Sequence, residues 1–185
     1  MATLPFDSAA LAPADRALYD AMVARRRAQG APFDGPYLPL MNHPQLCQRI
    51  EALGGYLKFD GHLPRDVYQF VVLGVARATG AAFEWDDHVA HARAAGVPDA
   101  VVAALAQHGP AAAGLPASYA TAAAVLAHTL AWQDIPADAQ AAAIARFGVE
   151  GFVEIVVLSG FYQMFAAINQ GFAVAATAGG GAPAA

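Results

Sequence analysis

The chain is predicted to be all-α. Strand signals are almost absent, and alanine is abundant, with apolar residues recurring at intervals of three and four. Prolines and glycines fall between the periodic segments rather than inside them. At 185 residues the chain fits a single domain large enough to bury a core. A content of 57% hydrophobic against 14% charged residues is too apolar for a disordered chain and high for a soluble monomer. Apolar surface shared between subunits accounts for the excess, so an oligomer is expected.

The elements follow in order. A first helix starts near Ala12 or Pro13, carries Ala17, Leu18, Ala21, Met22 and Val23 on its apolar side, and is closed by Gly30. Residues 31–40 hold three prolines and read as a linker across the surface. Asn42-His43-Pro44 combines a capping residue with a proline in the first turn, which starts a helix running to about Leu57; Asp60-Gly61 then turns the chain. Leu63-Pro64 opens Arg65 to Thr79, whose buried side is Val67, Phe70, Val71, Gly74, Val75 and Ala78. Gly80 and Gly96 bracket a short helix from about Phe83 to Ala95. Val97-Pro98-Asp99 begins another, ending near Gly109-Pro110, and Ala117 to Trp132 and Pro136 to Phe147 follow. A long apolar helix over residues 148–178, bent at Gly160, completes the core before a flexible tail. The expected domains are 1–37, an N-terminal helix and linker; 38–176, the helical core; and 177–185, the tail.

Net charge is −5, and the one basic cluster, Arg25-Arg26-Arg27, is too short and isolated for nucleic-acid binding. A single cysteine, Cys47, excludes a two-thiol mechanism within one chain. The start lacks the basic region and apolar core of a signal peptide, which makes a reducing cytoplasm the simplest location. Residues 155–178 carry no charge and are long enough to span a bilayer. Ser159, Gln163, Asn169, Gln170 and two glycines interrupt them, so a buried helix is expected instead.

Charge concentrates in the helix between Gly80 and Gly96, which gathers Glu84, Asp86, Asp87, His88, His91 and Arg93 around Trp85. Glu84, His88 and His91 share one face at i, i+4 and i+7, with Asp87 and His91 as a second pair. A carboxylate beside an imidazole is the minimum equipment for moving a proton near neutral pH. Phe83 and Trp85 would supply the apolar wall that raises a carboxyl pKa and excludes water. An exposed pair with a few tenths of a kcal/mol of helix support is the bland alternative. A metal site is the other alternative; three residues on one helix cannot converge on an ion unaided, so no metal is expected. His43, His62, His108 and His128 lack an orienting partner, and Cys47 reads as a small buried hydrophobe. Tyr162, Gln163 and Asn169 on the last helix need partners if buried; they either line the same pocket or hydrogen-bond between helices.

The order V-V-L-G-V-A-R-A-T-G-A-A-F-E-W-D-D-H-V-A-H-A-R-A-A-G-V, then helical V-V-A-A-L, resembles the carboxymuconolactone decarboxylase family. So does the ending R-F-G-V-E-G-F-V-E-I-V-V-L-S-G-F-Y-Q-M-F-A-A-I-N-Q-G-F. The resemblance covers roughly residues 38–174, is sharpest at 73–96 and 146–172, and contains the family's E-W-x-x-H element. It implies the helical fold shared with alkyl hydroperoxidase D and assembly into trimers or hexamers with pockets near subunit contacts. It also exposes departures. The C-x-x-C pair of the peroxidase branch falls at Ala81 and Glu84, with its histidine at His88, so the thiols are gone. The R-E found in many relatives falls at Tyr68 and Gln69, and an amide cannot titrate. Either Glu84 takes over the carboxylate role or the family's proton relay is broken.

The expectation is a cytoplasmic, oligomeric enzyme needing no cofactor, performing decarboxylation or a proton shift on a small organic acid or lactone. His88 would be the acid/base, oriented by Glu84, with Phe83, Trp85, Gln69, His91 and Tyr162 around the substrate. Three rivals stand beside it: a redox role through Cys47, a non-catalytic binder of a small apolar ligand, and a His/Glu metal site.

Overall fold

The computed structural model describes residues 4–175, and among these every regular element is helical. The helices are α1 (Pro13–Ala28), α2 (Tyr37–Leu40), α3 (Pro44–Gly55), α4 (Arg65–Thr79), α5 (Ala82–Ala94), α6 (Asp99–His108), α7 (Ala117–Leu130) and α8 (Ala137–Gly171). A π-helical turn, Tyr56–Asp60, extends α3, and 3-10 turns precede α1 and follow α6. No described helix is long and apolar enough to cross a membrane.

α4 is the central element. It packs against α5, α7 and α8, while α7 lies along α8 and α1 lies along α3. All ten residues from Val67 to Ala76 are buried, so α4 has no solvent face over that span; Ala78, expected on its buried side, is exposed. A helix enclosed all round must satisfy any polar side chain internally, and this places Tyr68 and Gln69 in the site described below. Gly80 ends α4 in the left-handed conformation (φ 67°), which lets the chain turn directly into α5.

Several boundaries differ from expectation for local reasons. The linker over 31–40 contains the short helix α2 and is partly buried, because Tyr37, Pro39 and Leu40 join the core. Within the expected Asn42-His43-Pro44 start, His43 is the residue that caps α3, its Nδ1 accepting from the Leu46 amide at 3.4 Å. On α1 only Met22 is fully buried; Ala17 and Ala21 face solvent. Gly148, with φ 77° and ψ 172°, breaks α8 where the two expected helices meet. Gly160 shows no break, and α8 ends at Gly171, short of the expected Ala178. The expected tail, and the last residues assigned to that helix, lie outside the described residues.

The N-terminal segment is attached by charge. Arg25 on α1 reaches the buried Glu51 on α3, with Nη2 2.6 Å and Nε 3.2 Å from its two carboxylate oxygens. This fork-to-fork pair holds α1 in a fixed orientation.

Candidate active site

Glu84 and His88 lie on α5 and are both buried, each 4% exposed. Their i, i+4 spacing puts Glu84 Oε2 4.0 Å from His88 Nε2, too far for a hydrogen bond. The groups that orient His88 come from other helices. Its Nδ1 lies 2.8 Å from Gln69 Oε1 on α4, and its Nε2 lies 3.2 Å from the Tyr162 hydroxyl on α8. The Tyr162 hydroxyl is in turn 2.8 Å from that of Tyr68 on α4. One consistent proton arrangement satisfies this row. His88 donates Nδ1–H to the Gln69 carbonyl, Tyr162 donates to Nε2, and Tyr68 donates to Tyr162.

Burial holds His88 well below the usual histidine range, and the nearby Lys58, His91, Arg65 and Arg26 push the same way. The imidazole is therefore neutral at neutral pH. Glu84 moves in the opposite direction: burial raises its carboxyl to about 7, Asp87 adds to the rise, and a hydrogen bond from Asn169 opposes it. The two shifts favour a proton on the carboxyl over one on the imidazole, whereas the expectation places it on His88 oriented by Glu84. The difference arises because near-complete burial opposes a charged imidazolium even with Asp87 Oδ2 3.6 Å from Nε2, whereas a buried carboxyl can simply stay neutral.

These groups border a cavity of about 50 Å³, walled by Tyr37, Phe83, Phe161 and Phe165 and bordered by Glu84, His88, Tyr68 and Tyr162. Gly35 of the linker makes the wall possible. With φ +55° it adopts a turn that L side chains disfavour, and a Cβ there would lie 2.2 Å from the Phe83 ring. The N-terminal segment is thus seated directly on the aromatic wall. A larger space of about 230 Å³ opens outside, sharing Arg26, Asp34, Lys58, Phe59 and Asp87 with the inner cavity.

Phe83 and Tyr162 border the inner cavity. Gln69 does not; it hydrogen-bonds His88 from α4. Trp85 is 6% exposed within the hydrophobic core and does not line the cavity, since its position on α5 turns it away from Glu84 and His88. His91 is exposed and borders only the outer space, its ring 5.9 Å from that of His88. Gln163 bonds back to Ser159 on its own helix. Tyr68, Lys58 and Arg26 are the residues local patterns could not place there; Asn169, expected either to line the pocket or to bond between helices, donates across to Glu84. Among the described residues no three His, Cys, Asp or Glu side chains are placed to hold a metal ion. Cys47 is fully buried and its thiol is pushed up to about 12, so no thiolate is available near neutral pH.

A family model described as the carboxymuconolactone decarboxylase family matches residues 44–127, which include α3 to α5 and the Glu84/His88 pair. No curated protein matches the chain. Among solved structures, the chain resembles a protein of unknown function from Agrobacterium tumefaciens, named there as a candidate antioxidant defence protein AhpD. The two are 20% identical with a TM-score of 0.65 over 79% of this chain and 100% of that one. The fold is therefore AhpD-like, and residues 44–127 match the carboxymuconolactone decarboxylase family. The C-terminal stretch 146–172, which carries the same resemblance, lies outside the matched segment.

Proposed function

We propose that this chain is an enzyme of the carboxymuconolactone decarboxylase family that moves a proton on a small lactone acid, by decarboxylation or a related shift. The observation that carries the proposal is the buried Glu84/His88 pair, 4.0 Å apart at the edge of an aromatic-walled cavity, where burial pushes the carboxyl up and the imidazole down. Groups whose surroundings push their pKa values in opposite directions are suited to complementary acid and base roles.

In the decarboxylation, the bond between the carboxylate carbon and the ring carbon breaks and carbon dioxide leaves. The electron pair moves into the substrate's own unsaturated carbonyl system. Glu84, protonated, delivers its proton to the carbon that ends with the charge, and is reprotonated from solvent. His88, held by Gln69 at Nδ1, accepts from Tyr162 at Nε2 and so keeps the Tyr162–Tyr68 hydroxyl row fixed beside the same region. The aromatic wall excludes water, so a developing carbanion meets one proton source. The inner cavity holds about two waters at most, so a substrate also occupies the outer space, and the side chains between the two must part to admit it. This chemistry asks for no cofactor.

The same proposal includes a cytoplasmic homo-oligomer, a trimer or hexamer. Leu53, Tyr56, Val149, Val153 and Val157 are all exposed and line one apolar groove, which a subunit contact would cover. Light scattering on the purified chain reads this directly, and a monomer at micromolar concentration would refute it.

The test of the chemistry has two parts. The Glu84 carboxyl, followed by carbon-13 NMR against pH, should titrate near 7; a midpoint in the ordinary carboxyl range removes the acid. Carboxymuconolactone incubated in deuterium oxide should release carbon dioxide and take up one deuterium, and Glu84→Gln should lower the rate about 100- to 10,000-fold. A wild-type chain that leaves carboxymuconolactone untouched would favour the non-catalytic ligand-binding alternative.

A further inference from the structure

Three cations ring the outer space: Arg26 from α1, Lys58 from the π-helical turn and Arg65 from the start of α4. Two carboxylates, Asp34 of the linker and Asp87 of α5, face them together with His91. Among the described residues none of the three cations has a carboxylate within the 4.0 Å of an ion pair. Arg16, Arg25 and Arg93 all do. Arg26 and Lys58 are also half-buried, and a partly desolvated cation without a counter-ion is a position that an anion stabilises.

Arg26 is prepared for such an anion. Its Nε donates to the Pro32 carbonyl and its guanidinium lies 4.5 Å from the centre of the Tyr37 ring. Stacking and that one bond fix the plane of the group, while its two terminal nitrogens have no hydrogen-bond partner among the described residues. The Arg25-Arg26-Arg27 cluster thereby divides its work. Arg25 ties α1 to Glu51, and Arg26, next along the helix, is presented to the site.

We infer that Arg26 and Lys58, with Arg65 at the rim, form a carboxylate-binding subsite at the mouth, holding a lactone acid with its ring directed inward toward Glu84. Arg26 lies outside the segment 44–127 that matches the family model, so the N-terminal segment, beyond the family's core, sets which acids this chain accepts. The inference rests on the proposed reaction only in supposing that the reacting end meets Glu84; binding itself requires no turnover.

Paraconate, a saturated lactone carboxylate unable to accept electrons, and the neutral γ-butyrolactone are the probes, with affinities read by NMR titration of the full chain. Paraconate should bind the wild type at least tenfold more tightly than γ-butyrolactone. Arg26→Gln should weaken paraconate about tenfold and leave the neutral lactone unchanged, while Arg26→Lys restores part of the loss. If Arg26→Gln does not fold, Lys58→Gln reads the same loss. Glu84→Gln should bind paraconate at least as well as the wild type. Equal affinity for the two probes, no detectable paraconate binding, or an unchanged paraconate affinity in the Arg26 and Lys58 variants would each overturn the subsite. Because Glu84 is titrated without any ligand, its midpoint near 7 can stand while the subsite falls, or the reverse.

Discussion

Glu84 and Glu154 are both more than nine-tenths buried, but their surroundings treat charge in opposite ways. Glu154 on α8 accepts from the backbone amides of His62 at 2.9 Å and Leu63 at 3.0 Å, and lies 3.1 Å from His62 Nδ1. Those donors tie the loop before α4 to α8, and the carboxylate is a structural link. Glu84 receives one donor, the Asn169 amide, and faces the neutral His88 and an aromatic wall. Many fixed donors stabilise a buried carboxylate; one donor in an apolar wall leaves it able to hold a proton. The first arrangement ties two elements together; the second suits the acid role we propose for Glu84.

The largest way to break this comparison is by activity, where Glu84→Gln should cost several orders of magnitude while Glu154→Gln leaves turnover per folded molecule nearly intact. Next in size is stability. Glu154→Leu strands two backbone N–H groups and should destabilise by about 2–4 kcal/mol in urea unfolding. A loss under 1 kcal/mol would mean that the loop finds other partners.

A pH series sharpens the contrast. Glu84 has a folded value of about 7 against an ordinary 4.5, so its contribution is fully present below pH 4.5 and is lost as pH rises through 7. The gap corresponds to about 3 kcal/mol. Glu84→Gln removes the ionisable group. Its stability relative to the wild type should therefore climb by up to that amount between about pH 4.5 and pH 7.5, measured as unfolding free energy. A pH-independent difference would show that Glu84 ionises freely in the fold. The smallest effect is expected at Tyr162→Phe, about 1–2 kcal/mol, since it strips His88 Nε2 of its donor and Tyr68 of its acceptor. Nitrogen-15 shifts should still report His88 protonated at Nδ1, because Gln69 remains; protonation at Nε2 would contradict the row as drawn.

Much of the fold was legible because its signals are local. Gly80 and Gly96 bracket α5, Leu63-Pro64 starts α4, and Glu84 and His88 share a face by spacing alone. The site was only half legible for the same reason. Spacing on one helix suggested that Glu84 orients His88, but the 4.0 Å separation leaves that task to Gln69 and Tyr162, which lie 19 positions before and 74 positions after His88. Trp85 looked like a pocket wall because it adjoins Glu84, yet adjacent helical residues point in different directions and it joined the core. His91 kept its stripe position and emerged in solvent.

The amino-acid sequence by itself determined the helices, their order and the pair of residues that face the same way, since these depend on residues a few positions apart. It also determined what is missing, a second thiol and a titratable group at position 69. Tertiary structure alone decided which way the surroundings push each member of the pair. That depends on desolvation and on donors brought from α4 and α8, contacts that no local period encodes. It likewise decided that Arg26, distant in the chain, stands at the entrance.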